Sequence, residues 1–128
     1  MKLQAVALGM MVLAGPALAQ DYIEFRSPTG NIRCGLYADS AETFVRCDMS
    51  ELVPSFTSPP PDCEFDWGSS FSLGRTGKGM LACVSDPATG PSPMVLEYGD
   101  AISLGGISCV STKTGMICLN GEGHGFTI

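Results

Sequence analysis

The chain has 128 residues, with 7 Lys and Arg against 13 Asp and Glu for a formal net charge of −6, and it carries six cysteines but one histidine. Such a length bounds it to a single small domain. An acidic balance without any cluster of Lys and Arg excludes nucleic acid as an expected partner and disfavours an anionic membrane surface, because phosphate contacts need concentrated positive charge.

Met1 to Ala19 opens with Lys2, continues with an apolar run from Ala5 to Ala14, and ends in Pro16 and the small-residue site Ala17-Leu18-Ala19. This pattern predicts a secretory signal peptide over residues 1–19. The run is shorter than the roughly 20 residues a bilayer span needs, so no membrane span is expected. Gln20 and Asp21 follow the cut in place of a cysteine, which argues against a lipid anchor. The expected product is one secreted domain, residues 20–128, carried across the inner membrane to the periplasm or beyond. It keeps six basic residues against 13 acidic ones, a formal charge of −7. All six cysteines lie in it, at Cys34, Cys47, Cys63, Cys83, Cys109 and Cys118. An even number behind a signal peptide predicts disulfides, and the long irregular gaps with a single histidine speak against zinc.

Along the domain, Tyr22, Glu24 and Arg26 alternate with Ile23 and Phe25, a half-buried strand. Ser27-Pro28-Thr29-Gly30 has the preferences of a type I turn. Ile32 to Tyr37 and Phe44 to Cys47 then form a hairpin in which Tyr37 faces Phe44, Leu36 faces Val45 and Cys34 faces Cys47. Asp48 to Val53 allows one helical turn that Pro54 would close. Pro59, Pro60 and Pro61 favour an extended path leading to Cys63. Cys63 to Trp67 alternates as a strand, with Cys63, Phe65 and Trp67 on the core side and Asp62, Glu64 and Asp66 on the other. Phe71 to Leu73 and Met80 to Cys83 flank the hairpin loop Gly74 to Gly79, which is no P-loop because Lys78 precedes glycine rather than Ser or Thr. Ser85 to Pro93 is loop.

Met94 to Tyr98 and Ala101 to Leu104 are expected as two strands around a type II′ turn at Gly99-Asp100. The last hairpin joins Ile107 to Ser111 with Met116 to Asn120 through Thr112 to Gly115. A four-residue loop sets Cys109 opposite Cys118, whereas a three-residue loop would slip the pairing by one and put them on opposite faces. Opposed cysteines can bond, so Cys34–Cys47 and Cys109–Cys118 are the expected hairpin bridges, and elimination leaves Cys63–Cys83. The fold class is all-β, a small disulfide-stabilised sandwich or barrel of short antiparallel hairpins.

The segments FRSPTGNIRC, DCEFDWG, LEYGD and GGISCVSTKTGMICLNGEGHGF, in this order, resemble a family of small secreted bacterial proteins of unknown function. Thr29 stands where that pattern more often has serine. The resemblance spans Phe25 to Phe126 and implies export and a disulfide-stabilised fold; it transfers no catalytic or binding residue.

Two groups carry candidate chemistry. His124, flanked by Gly123 and Gly125, has room for a substrate, and Glu122 is placed to orient the imidazole as a general base. A turn-stabilising role is the simpler reading, with terminal packing left to Phe126 and Ile128. Asp62, Glu64 and Asp66 would share one face of a strand as a calcium site, but Trp67 stands where an EF-hand loop needs glycine. A solvated acidic face is therefore expected there, with no metal or cofactor. The leading expectation is an exported non-catalytic binding or envelope-associated module, monomeric, for an unknown protein or envelope ligand; the alternative is a small secreted hydrolase using His124.

Overall fold

Period-two alternation builds the first three strands, β1 (Asp21–Arg26), β2 (Ile32–Ala38) and β3 (Thr43–Met49). Each turns every second side chain inward, so that Phe25, Cys34, Leu36, Val45 and Cys47 are all at 0% exposure. Their antiparallel register sets Phe25 against Cys34, Cys34 against Cys47, Leu36 against Val45 and Tyr37 against Phe44. The turn after β1 closes through Gly30 N donating to Ser27 O at 2.9 Å. In the turn after β2, Asp39 Oδ1 accepts from the amides of Ala41 at 2.7 Å and Glu42 at 2.8 Å, and its Oδ2 accepts from the Tyr37 hydroxyl. The structure, a computed structural model, describes residues 21–128, and the expected signal peptide lies outside them.

β4 (Ser70–Gly74) and β5 (Met80–Leu81) add to β3, and β6 (Met94–Val95) adds in parallel to β1, completing a six-stranded sheet of order β5-β4-β3-β2-β1-β6. The second sheet has the order β10-β9-β8-β7 and is made of β7 (Ala101–Leu104), β8 (Ile107–Thr112), β9 (Gly115–Asn120) and β10 (Gly125–Thr127). One core lies between them. Phe25, Leu36, Val45 and Leu73 come from the first sheet, and Ile107 and Met116 from the second. This is a β-sandwich, the arrangement in which two sheets bury their inner faces against each other.

Three disulfides hold it: Cys34–Cys47, Cys63–Cys83 and Cys109–Cys118. The first and last join directly opposed residues whose Cα atoms are 4.1 Å apart, and all four of these cysteines belong to the core. The narrow, non-hydrogen-bonded pair of an antiparallel ladder brings Cα atoms this close.

Several local expectations are corrected. No helix forms at Asp48 to Val53. The chain leaves β3 and is clamped instead to Asn31, whose Oδ1 accepts from Glu51 N at 2.7 Å and whose Nδ2 donates to Glu51 O. The extended path expected of the triple proline ends at Pro60, because Cys63 N donates to Pro60 O and closes a turn over Pro61 and Asp62. Cys63 to Trp67 is no strand: only Asp66 bridges Val84, Phe65 is 60% exposed, and Trp67 is half-buried outside the core. Alternation needs a neighbouring strand to become structure, and this stretch borders only the few residues after β5.

Met94 to Tyr98 and Ala101 to Leu104 do not pair with each other either. β6 and β7 lie in different sheets, and Gly99 takes the third turn position with φ +87°, as Asp100 N donates to Glu97 O. The partner of β7 is β8, across Gly105-Gly106, where both residues have positive φ. Two positive φ values in a two-residue loop are the requirement of a type I′ hairpin. In the last hairpin the ladder continues to Thr112 and Gly115, so only Lys113 and Thr114 are left in the loop, in the same register. β10 extends the sheet beyond the expected elements.

Replacing both Cys109 and Cys118 with serine should lower stability by about 2–4 kcal/mol in denaturant unfolding, since the bridge shortens the unfolded chain's loops. A change within a few tenths would show that packing alone fixes this hairpin. A second outcome concerns pH. The amide of Glu42, then the Tyr37 hydroxyl and the Ala41 amide, hold the Asp39 carboxyl below its usual value. A lowered folded-state value stabilises above the unfolded value of about 3.9 and is lost as pH falls through the folded one. The melting-temperature gap between wild type and Asp39→Asn should therefore be widest at neutral pH and narrow in acid; a pH-independent gap would contradict it.

Candidate functional site

The C-terminal segment is organised by Asn120, which sequence reasoning passed over. Its side chain is 7% exposed, yet every polar atom on it is used. Nδ2 donates to Gly74 O at 3.1 Å and to Gly77 O at 2.9 Å, while Oδ1 accepts from Glu122 N at 3.1 Å and His124 N at 3.2 Å. The amide thus ties the turn between β9 and β10 to the loop between β4 and β5. Its signal in the sequence was an Asn-Gly pair at the end of a strand, a turn-forming dipeptide.

Glu122 and His124 are not brought together as a catalytic pair. The Glu122 carboxylate accepts from Gly77 N at 2.6 Å, so it fastens the same two loops. His124 enters the network through its backbone, donating to Asn120 and accepting from Asn120 N. Its half-buried imidazole makes no hydrogen bond with a described residue. Asp62, Glu64 and Asp66 are all exposed on an irregular segment, and among the described residues no group of three or more His, Cys, Asp and Glu is placed to hold a metal.

The more developed feature is an apolar cleft of about 390 Å³ where the edge of one sheet meets the edge of the other. β5 ends the first sheet and β10 ends the second. Just before β5, the backbone at Gly79 comes close to β10, since a methyl group placed on Gly79 would stand 2.8 Å from the carbonyl oxygen of Gly125. Beyond that point lie Phe71, Met80, Leu81, Phe126 and Ile128, with Phe56 from the long β3–β4 connection on the far wall. The Phe71 and Phe126 rings, 6.1 Å apart, form its floor. Phe126 is thus half-buried rather than a fully enclosed anchor.

Phe56 also lines two adjoining depressions, one with Leu52 and Val53 and one with Pro54, Pro59 and Trp67. Val53 is 92% exposed, Met80 66%, and Phe56 and Phe65 60% each, which makes the region around Phe56 markedly apolar for a surface. No charged side chain lines the cleft.

A family model described as "Family of unknown function (DUF6636)" matches residues 5–128. No curated protein and no solved structure matches the chain.

Asn120→Ala should cost about 2–3 kcal/mol, because it strands buried donors and acceptors on two loops. His124→Ala, which removes only a half-buried side chain, should cost about 1 kcal/mol or less. Thermal melts of the two variants side by side test this, and a larger loss at His124 would place the structural weight on its imidazole.

Proposed function

We propose a function for this chain, which belongs to the DUF6636 family of unknown function: it is an exported, disulfide-stabilised module that works by binding an apolar partner and not by catalysis. The observation that carries this reading is the cleft of apolar side chains between β5 and β10, lined by Phe56, Phe71, Met80 and Phe126. Sites for other molecules are concave and mainly apolar, of roughly 300–1,000 Å³. Export is supported by three disulfides in so short a chain, which form and persist in oxidising compartments, and by the composition of residues 1–19. On this reading the periplasm or the extracellular space is where the module acts, and no helix among the described residues is long and apolar enough to cross a membrane.

Immobilised wild-type protein presented with envelope extract is expected to retain a ligand that Met80→Glu loses and His124→Ala keeps. Met80 is largely exposed, so the variant should fold. Equal retention by wild type and Met80→Glu would remove the cleft from the binding surface. Turnover of ester or amide substrates abolished by His124→Ala would favour the hydrolase instead.

A further inference from the structure

We propose that the outer face of the six-stranded sheet carries a second site, an aromatic track that binds a neutral glycan chain. Tyr22, Tyr37 and Phe44 stand in one row across β1, β2 and β3, since Tyr22 pairs with Tyr37 and Tyr37 with Phe44. All three point away from the core, on the face opposite Phe25, Leu36 and Val45. Their ring centroids are 6.5 Å and 5.3 Å apart, with planes tilted by 59° and 35°. Tyr22 is 51% exposed. The next position in the row is Gly74 on β4, which has no side chain, and there the surface drops into a cleft of about 560 Å³ beside Phe44. Glu42, Ser72, Arg75 and Thr76 line it.

The rings are held in place before any ligand arrives. The Tyr22 hydroxyl donates to Ala88 O at 3.0 Å and the Tyr37 hydroxyl to Asp39 Oδ2 at 2.8 Å. A preset platform saves the ordering cost that weakens binding by mobile side chains.

Three aromatic side chains in a row, two of them half-buried, followed by a cleft of hydroxyl, carboxylate and guanidinium groups, match a ligand with both C–H faces and many hydroxyls. A sugar chain has both. A nucleic acid would also stack, but the chain's net negative charge repels its phosphates. A wholly apolar partner would leave the groups of the Phe44 cleft desolvated and unmatched. The row differs in chemistry and position from the cleft between β5 and β10, so the two sites stand or fall separately.

Wild-type protein mixed with cellulose, chitin, amylose or β-1,3-glucan, all uncharged or nearly so, should be depleted from solution by at least one of them, and soluble oligosaccharides of that polymer should compete. Tyr22→Ala and Phe44→Ala should each weaken retention tenfold or more, while Met80→Glu retains it. If one aromatic variant fails to fold, Thr76→Trp, which fills the adjoining cleft, replaces it and should also weaken retention. Depletion by none of the four polymers overturns the proposal, and so does retention that the variants leave unchanged. Lowered melting temperatures in the aromatic variants without wild-type retention would show that the rings serve only as cross-strand packing.

Discussion

Two antiparallel hairpins, one in each sheet, carry a disulfide between directly opposed residues on their inward face, and the rest of the sandwich depends on that register being kept. Because side chains in a strand alternate, a slip of one residue would turn Leu36, Val45, Ile107 and Met116 from the core to the solvent. A covalent link at a narrow pair forbids the slip outright. The sulfurs also fill core volume, so the same four cysteines supply both the packing and the constraint. A domain of this size has little apolar interior to spare, and fixing register covalently lets a modest core specify one structure.

The edges are handled differently. Where β9 gives way to β10, the connection to the opposite sheet is polar, with Asn120 and Glu122 reaching across to Gly74 and Gly77. These contacts hold the two sheets together at the end where β5 and β10 approach. The apolar cleft opens from that hinge point, so a buried amide in one loop positions the hydrophobic walls of a neighbouring surface. His124 belongs to this scaffold through its main chain.

Where sequence and structure agree, the signal was local. The hairpin registers followed from turn residues and from matched apolar positions on both sides, as in Leu36 opposite Val45 and Val110 opposite Ile117. The all-β class followed from a succession of short alternating stretches separated by turn signals. What escaped was non-local. β6 lies beside β1 although some seventy residues separate Phe25 from Met94, and nothing in either segment names the other. The alternation at Cys63 to Trp67 was real but had no strand to pair with, and the turn that β7 makes is at Gly105-Gly106 rather than at Gly99-Asp100. The cleft was invisible for the same reason, since Phe56, Met80 and Phe126 become neighbours only when the β3–β4 connection meets the edge strands of both sheets.

The six-stranded sheet ends on both sides in strands of two residues, β5 and β6. A strand edge is a template on which another chain can grow, and its danger scales with the number of unpaired backbone groups it shows in a row. By crossing over the sheet to lay Met94 and Val95 against Phe25 and Arg26, the chain shortens the free edge of β1 from six residues to four. Crowding many such molecules together should then favour side-by-side solubility over fibre growth from this sheet.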